Sequence, residues 1–322
     1  MRKQQQGLIA LAALGLMGIV AGAAVLTQNQ QAAPDASTEQ SASATSNRIA
    51  QADIGSERPE LDVPYVPTPQ SVVDKMLDLA KVQKNDVVYD LGCGDGRIVI
   101  TAAKRYGVTG VGIDIDPERI QESKQNAERE GVADQVQFFQ KNLFDTDISD
   151  ASVLMLYLLP QINLKLRPKI FRELKPGTRI ASHAFTMGDW NPDQTVQVPG
   201  DGYDRTVFFW ILPAHVAGTW QVQEGAAQPG KLQFNQKFQE IDGTFNNVAV
   251  TDAKLVGEQI SFSIRQGNQP ARTFSGRVEG NTITGTIKDA AGERTWRATR
   301  QPGDLPSIEG TVESNAQETE EV

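Results

Sequence analysis

The strongest structural signal in this chain is Val87-Val88-Tyr89-Asp90-Leu91-Gly92-Cys93-Gly94-Asp95-Gly96-Arg97. It begins with β-branched, aromatic and apolar residues, a composition typical of a buried strand. Three glycines at alternate positions then interrupt it, and residues 97–103 resume with apolar side chains at helical spacing. A strand, a glycine turn and a helix in this order indicate the opening of a nucleotide-binding βαβ unit.

The kind of nucleotide follows from the charged residues around the glycines. The next strand, 110–113, ends in Asp114, about twenty residues past the glycines, where such folds hold ribose hydroxyls with a carboxylate. A dinucleotide fingerprint needs a third glycine where Arg97 stands, and the Gly-Lys-Ser/Thr of a P-loop is absent. Asp90 and Asp95 would repel a pyrophosphate, but either can pair with an ammonium group. S-adenosylmethionine, which has an amino acid end and a ribose end, fits this pattern.

The seven residues 90–96 resemble motif I of the class I (seven-strand) S-adenosylmethionine-dependent methyltransferases, D-x-G-x-G-x-G. The resemblance implies a Rossmann-like, doubly wound α/β sheet and S-adenosylmethionine as the cofactor. It also places Asn142 at the end of the third strand, beside the adenine, while Ile115 either packs on the adenine or belongs to the core. The predicted cofactor-binding residues are Asp90, Gly92, Cys93, Gly94, Asp95, Gly96, Asp114, Ile115, Asn142 and Leu143.

Charge and composition narrow the possible partners. The 322 residues carry a net charge of -9, which disfavours a nucleic-acid substrate and is compatible with a basic acceptor such as a lysine side chain. The single cysteine, Cys93, rules out a disulfide within the chain. It forms no metal-ligand pattern with His183 and His215, so no metal site is predicted.

The N-terminal sequence has the pattern of an export signal. Arg2 and Lys3 precede an uncharged apolar run over 7–26, which is also long enough to span a bilayer. A cleaved signal and an uncleaved membrane anchor over 1–26 both remain open. Either one predicts that the globular part lies on the non-cytoplasmic side, although the supply of cofactor keeps a cytoplasmic location open. Residues 27–59 have the polar composition of a disordered linker, and the acidic tail 301–322 is also predicted to be disordered.

The remaining chain divides into two predicted domains. Strands alternate with helices over 60–213 and end in a hairpin of 196–198 with 206–212, which indicates a parallel sheet covered by helices on both faces. Residues 215–300 have no helical pattern and predict a small antiparallel barrel or sandwich that serves as a packing or docking module. Its seven expected strands are 218–220, 231–239, 243–250, 259–265, 271–278, 282–287 and 295–299.

A narrower resemblance covers residues 60–212. It is to the mitochondrial protein-lysine methyltransferases that act on the c subunit of ATP synthase and on the adenine nucleotide translocase. The similar parts are the segment Tyr65-Val66-Pro67-Thr68-Pro69, the helix after it, and the glycine motif through Val99. Asn142-Leu143-Phe144 stands for that family's DLW-like strand end, and Trp190-Asn191-Pro192 for its Trp-x-Pro. The chain departs from the family at two positions: at Cys93, where the family often has Ser, and at Asn142. The resemblance implies a protein lysine as acceptor and places Tyr65 and Thr68 over cofactor and acceptor.

Methyl transfer needs positioning and a neutral nucleophile more than strong acids or bases. Tyr65, Thr68 and Tyr157 are the predicted catalytic residues, because their hydroxyls can orient a neutral amine. His183 ends the fifth strand and can act as a base, but a strand-end histidine bonded to backbone is commoner, so it is not included. The fourth strand ends without the Asn/Asp-Pro-Pro-Tyr/Phe motif of amino-group DNA methyltransferases, and this disfavours base methylation.

The sequence therefore predicts a protein-lysine N-methyltransferase. The alternatives are a small-molecule N- or O-methyltransferase and a non-catalytic binding protein that retains the nucleotide fold.

Overall fold

The computed structural model describes residues 65–225, 229–303 and 307–309. The predicted signal or anchor over 1–26, the linker over 27–59 and most of the tail over 301–322 lie outside these residues. Among the helices that the structure describes, none has the length and apolar character needed to cross a membrane.

The described chain contains four helices and fifteen strands. The helices are α1 (Gln70–Leu79), α2 (Arg97–Tyr106), α3 (Pro117–Arg129) and α4 (Pro160–Glu173). The first seven strands are β1 (Val87–Leu91), β2 (Thr109–Asp114), β3 (Val136–Gln140), β4 (Val153–Leu156), β5 (Arg179–His183), β6 (Gln194–Val198) and β7 (Arg205–Ile211). The remaining eight are β8 (Gly218–Gln223), β9 (Gly230–Lys237), β10 (Glu240–Phe245), β11 (Val248–Val256), β12 (Gln259–Ile264), β13 (Arg272–Glu279), β14 (Thr282–Asp289) and β15 (Gly292–Arg300).

Seven strands form one sheet in the order β3-β2-β1-β4-β5-β7-β6, in which β7 runs antiparallel to both of its neighbours. The predicted doubly wound α/β sheet with a closing hairpin is therefore confirmed. The chain runs outward from β1 to β3 and then returns to place β4 on the other side of β1. This reversal opens a crevice at the carboxyl ends of β1 and β4, which is where open α/β sheets bind their ligands.

The last eight strands form a closed antiparallel barrel in which β15 pairs with β8. The prediction of seven strands was wrong, because 243–250 contains a turn. Asn246 and Asn247 adopt φ values of 48° and 67° there, a left-handed conformation that asparagine tolerates. The predicted strand over 231–239 also ends early, since Phe238 has a φ of 54° and starts the turn into β10.

Aromatic side chains fill the barrel. The Phe262 and Phe274 rings stack with centroids 4.8 Å apart, and Trp296 meets Phe274 edge-on at 5.3 Å. An eight-stranded barrel is just narrow enough for side chains to fill its interior.

A second apolar cluster joins the sheet to the barrel. It contains the fully buried Trp190 and Trp210 from the sheet region together with Phe238 from the β9–β10 turn. The Phe238 ring stacks against Trp190 with centroids 5.8 Å apart and also lies 5.9 Å from the Phe171 ring. The sheet region and the barrel therefore share part of one core.

Candidate active site

A cleft of about 300 Å³ lies at the carboxyl ends of β1, β2 and β4. It brings together eleven of the thirteen predicted site residues: Tyr65, Thr68, Asp90, Gly92, Cys93, Asp95, Asp114, Ile115, Asn142, Leu143 and Tyr157. The other two, Gly94 and Gly96, shape the loop from behind. A Cβ on Gly94 would stand 2.3 Å from the Tyr65 ring, and one on Gly96 would stand 2.7 Å from Phe138.

The glycine loop is fastened to β2 by backbone hydrogen bonds. The N–H groups of Gly92 and Cys93 both donate to the Ile113 carbonyl, at 2.8 and 3.0 Å. Cys93 is buried, and burial raises the pKa of its thiol well above the usual value, with further contributions from Asp90 and Asp114. The thiol is therefore neutral and supplies packing rather than a nucleophile.

Asp90 ends the central strand and is only 2% exposed. Burial, and then the carboxylates of Asp114 and Asp95, raise the pKa of Asp90 well above its ordinary value. Within the described residues, no group donates a hydrogen bond to Asp90, although it contributes to the cleft lining. A buried carboxylate without a partner is costly, so the site favours a cationic ligand group such as an ammonium.

Asp114 is held in one orientation by the backbone. Its Oδ2 accepts the Gly94 N–H at 2.8 Å and its Oδ1 accepts the Asp116 N–H at 3.0 Å. Each carboxylate oxygen keeps a further lone pair, so the residue can still accept hydrogen bonds from ribose hydroxyls. Along the same cleft, Asn142 Oδ1 accepts the Phe144 N–H at 2.9 Å, which fixes the asparagine side chain beside Leu143.

Tyr157, Thr68 and His183 meet where β4 and β5 end. The Tyr157 and His183 rings have centroids 3.9 Å apart, and Thr68 Oγ1 lies 3.4 Å from His183 Nδ1. Burial, and then the positive charge of Arg205, lower the pKa of His183 to about 4. Burial also raises the pKa of Tyr157. At neutral pH this corner therefore consists of uncharged side chains that can still form hydrogen bonds.

The segment that carries Tyr65 and Thr68 is tied to the start of α2. Arg97 Nη1 donates to the Thr68 carbonyl at 3.0 Å, and Arg97 Nη2 pairs with Asp95 at 2.5 Å. Burial acts to raise the pKa of Asp95, but the hydrogen bonds from Arg97 outweigh it and the pKa is lowered. The Arg119 guanidinium stands 4.8 Å from the centroid of the Tyr65 ring. Two cations thus hold this segment over the cleft.

Comparison with known proteins identifies the chain. The model of the ANTKMT methyltransferase domain family matches residues 90–194. A protein-lysine N-methyltransferase from Saccharolobus islandicus is 47% identical over 154 residues, which are 48% of this chain and 96% of that protein. The chain belongs to this methyltransferase family. The resemblance to lysine methyltransferases is confirmed, and this protein is an S-adenosylmethionine-dependent methyltransferase.

Two further proteins are similar to part of the methyltransferase. The human lysine N-methyltransferase for the c subunit of ATP synthase is 34% identical over 44% of this chain and 59% of its own length. An RNA methyltransferase from Salinibacter ruber, solved with S-adenosyl-L-homocysteine, is 54% identical over 47% of this chain and 96% of its own, with a TM-score of 0.45. The family model ends at residue 194, before the barrel of the methyltransferase begins at Gly218.

The residues of the methyltransferase fit S-adenosylmethionine, because the Asp90 carboxylate, which accepts no hydrogen bond from the described residues, suits the ammonium of its amino acid end, and Asp114 suits its ribose. Sequence reasoning did not include Arg97, His183 or Phe185 in the site. Arg97 belongs to the predicted motif and replaces a third glycine there, and its place two residues after Asp95 was the available signal for a role in the site. His183 could have been included from its place at the end of β5, because neighbouring parallel strands bring their ends to the same edge.

Proposed function

We propose that this methyltransferase methylates the side-chain nitrogen of a lysine in a protein, and that Tyr157, Thr68 and Tyr65 orient that nitrogen. The proposal is carried by one observation: Tyr157, whose hydroxyl group is suited to an amine, lines the same cleft as Asp90 and Asp114. The relatives from Saccharolobus islandicus and human, whose names state lysine N-methylation, support the same acceptor.

The cofactor, when bound, would supply a methyl group on a sulfonium. For the transfer to balance, the lysine ammonium first loses one proton, its nitrogen lone pair then forms the new N–C bond, and the electron pair of the broken C–S bond stays on sulfur. A lysine ammonium has a pKa near ~10.4 in water and has no lone pair until that proton leaves. The protein must therefore favour the neutral amine before transfer.

The uncharged corner meets this requirement. Tyr157 and His183 lie in contact and neither carries a charge at neutral pH, so an ammonium placed beside them would lose hydration without gaining a counter-ion. Desolvation of this kind lowers the pKa of a lysine and favours the neutral amine. The proton then leaves to solvent before transfer. The Tyr157 hydroxyl oxygen accepts a hydrogen bond from one of the remaining N–H groups, and this directs the nitrogen lone pair toward the methyl group.

The test is transfer of isotope-labelled methyl from S-adenosylmethionine to fractionated cell proteins, followed by mass spectrometry of the labelled residue. We expect methyl-lysine with the full-length protein and none with Asp114→Ala at a cofactor concentration that saturates only the wild type. Label confined to small extractable molecules would favour small-molecule methylation, and label in nucleic acid would contradict the charge argument. Cofactor binding with no acceptor in any fraction would favour the non-catalytic alternative.

We also propose that residues 1–26 direct the protein to a membrane or export pathway, on the basis of the positive charges of Arg2 and Lys3 before the apolar run over 7–26. A reporter that is active only outside the cytoplasm, fused after the last residue, should be active with the full chain and inactive when 1–26 are deleted. Equal reporter activity in both would contradict this proposal.

A further inference from the structure

One loop contacts both the acceptor corner and the barrel. This acceptor-side loop, residues 184–191, makes up most of the connection from β5 to β6. Its Phe185 lines the cleft and stacks 6.2 Å from the Tyr157 ring. Ala184 begins the loop with a φ of 64°, a conformation that residues other than glycine rarely adopt. A strained turn of this kind persists only where its surroundings hold it in place.

Buried polar groups of β5 and α4 hold the first half of the loop. Ser182 Oγ donates to the Phe185 carbonyl at 2.7 Å, and Asn163 Nδ2 donates to the Thr186 carbonyl at 3.2 Å. Arg167 Nη1 donates to the Met187 carbonyl at 2.8 Å. Asn163 and Arg167 are at most 1% exposed, so these bonds are formed away from water.

The barrel holds the second half through the turn between β9 and β10. Trp190 Nε1 donates to Gln239 Oε1 at 2.8 Å, and Gln239 Nε2 donates to the Asn191 carbonyl at 2.7 Å. Lys237 Nζ pairs with Asp189 at 3.0 Å. One side chain of the barrel thus binds two successive residues of the loop.

Arg167 links the two halves. The same Nη1 atom that bonds the Met187 carbonyl also pairs with Asp189 at 2.7 Å, and the guanidinium lies 5.1 Å from the centroid of the Phe238 ring. A displacement of the barrel turn therefore changes the surroundings of the group that fixes the middle of the loop.

We propose that the β9–β10 turn of the barrel positions the acceptor side of the active site, with Gln239 and Phe238 as positioning residues that act through the acceptor-side loop on Phe185. The proposal rests on the assignment of Tyr157 and Phe185 to the methyl acceptor. It gives the barrel a part in the reaction: the barrel sets the shape of the acceptor wall and leaves the cofactor wall unchanged, because Asp90, Asp114 and the glycine loop are held by β1 and β2.

The test uses the full chain with Gln239→Ala, and Gln233→Ala as a matched control, since Gln233 is an exposed glutamine on the same barrel. Three quantities are measured: amide hydrogen exchange in 184–191, the Kd for S-adenosylmethionine, and the KM and kcat with a protein that the wild type methylates. We expect Gln239→Ala to speed loop exchange about tenfold and raise KM three- to tenfold, while the cofactor Kd stays within twofold. Gln233→Ala should change none of them.

Gln239→Glu refines the test, because it keeps an oxygen that can accept from Trp190 and loses the donor to Asn191. Its KM should lie between those of the wild type and Gln239→Ala. Unchanged exchange in Gln239→Ala would overturn the proposal whatever the acceptor is, and so would faster exchange with an unchanged KM. A wild-type protein that methylates no lysine would instead contradict the proposed function, while the exchange measurement would still decide whether the barrel holds the loop.

Discussion

The strands of the sheet region and those of the barrel have different roles. In the sheet region the central strands are parallel, so their carboxyl ends meet at one edge and place Asp90, Asp114 and Tyr157 around a common cleft. In the barrel, neighbouring strands run in opposite directions, and the aromatic rings of Phe262, Phe274 and Trp296 occupy the interior. The polar site residues thus lie at the edge where the parallel strands end and the chain reverses direction. The interior of the barrel is filled by apolar packing.

Charged groups show the same contrast. Asp90 of the sheet region is buried with no hydrogen-bond partner among the described residues, which keeps it available for a ligand. In the barrel, Asp289 pairs with Arg294 at 2.7 Å, and Glu224 pairs with Arg272. Asp289 and Glu224 therefore stabilise the barrel through their arginine partners, whereas Asp90 stays available to a ligand in the cleft.

The largest expected effect tests whether the two regions are separate at all. Phe238→Ala removes a barrel side chain from a core cluster that it shares with Trp190, so the free energy of unfolding should fall by about 3–5 kcal/mol. Urea denaturation followed by Trp fluorescence measures the change. Phe262→Ala, inside the barrel, is the control and should cost a similar amount. If Phe238→Ala leaves the stability of the sheet region unchanged, the shared core is wrong, and the separate domains predicted over 60–213 and 215–300 gain support.

The sheet region and cofactor wall were largely predictable because their signals are local. The glycine pattern of 90–96 and the alternation of strands and helices appear in short windows of sequence, and the fold followed from them. The turn at Asn246 and Asn247 was missed because strand-forming residues, Phe245 and Val248, flank it closely, although two adjacent asparagines are themselves a turn signal. The packing of Phe238 on Trp190 joins residues about 48 positions apart, and no periodicity in either segment indicates such a contact.

The next effect is the pH dependence of stability that His183 gives to the buried corner of the sheet region. Since the pKa of His183 is lowered to about 4, the unfolded chain, with a histidine pKa near ~6.5, binds more protons between these values. Stability should therefore be lost as pH falls from about 6.5 toward 4, by about 2–3 kcal/mol from this residue. His183→Gln, which does not titrate, should show a smaller loss in thermal denaturation between pH 7 and pH 4. Parallel curves for the two proteins would contradict the lowered pKa.

The third effect concerns the cofactor wall. Asp114→Ala removes acceptors for ribose hydroxyls and also frees the Gly94 N–H, so affinity for S-adenosylmethionine should weaken by roughly 1–3 kcal/mol. Isothermal calorimetry measures the change. Asp242→Ala in the barrel, where the carboxylate accepts from Asn235 at the surface, is the matched control and should bind as the wild type does. Equal affinity in Asp114→Ala and Asp242→Ala would remove Asp114 from the site.

The smallest effect separates catalysis from binding within the cleft. Tyr157→Phe keeps the ring that packs on His183 and removes only the hydroxyl, so turnover should fall about tenfold, or ~1.4 kcal/mol, with cofactor affinity nearly unchanged. Steady-state kinetics with a protein that the wild type methylates measure the change. A variant with full turnover would show that the amine is oriented by another group, and Thr68→Val would then be the next substitution to measure.

The number of unpaired strand edges affects how readily the protein associates with itself. Among the described strands, the barrel has no open edge, and the sheet ends in β3 and β6, which are only five residues long. Each of these edge strands carries two glutamines, and Lys141 stands 5.3 Å from the exposed Phe139 ring beside β3. Short polar edges are poor templates for a strand from another molecule. Fifteen strands thus offer little surface for intermolecular β-pairing, the step from which fibrous aggregates grow.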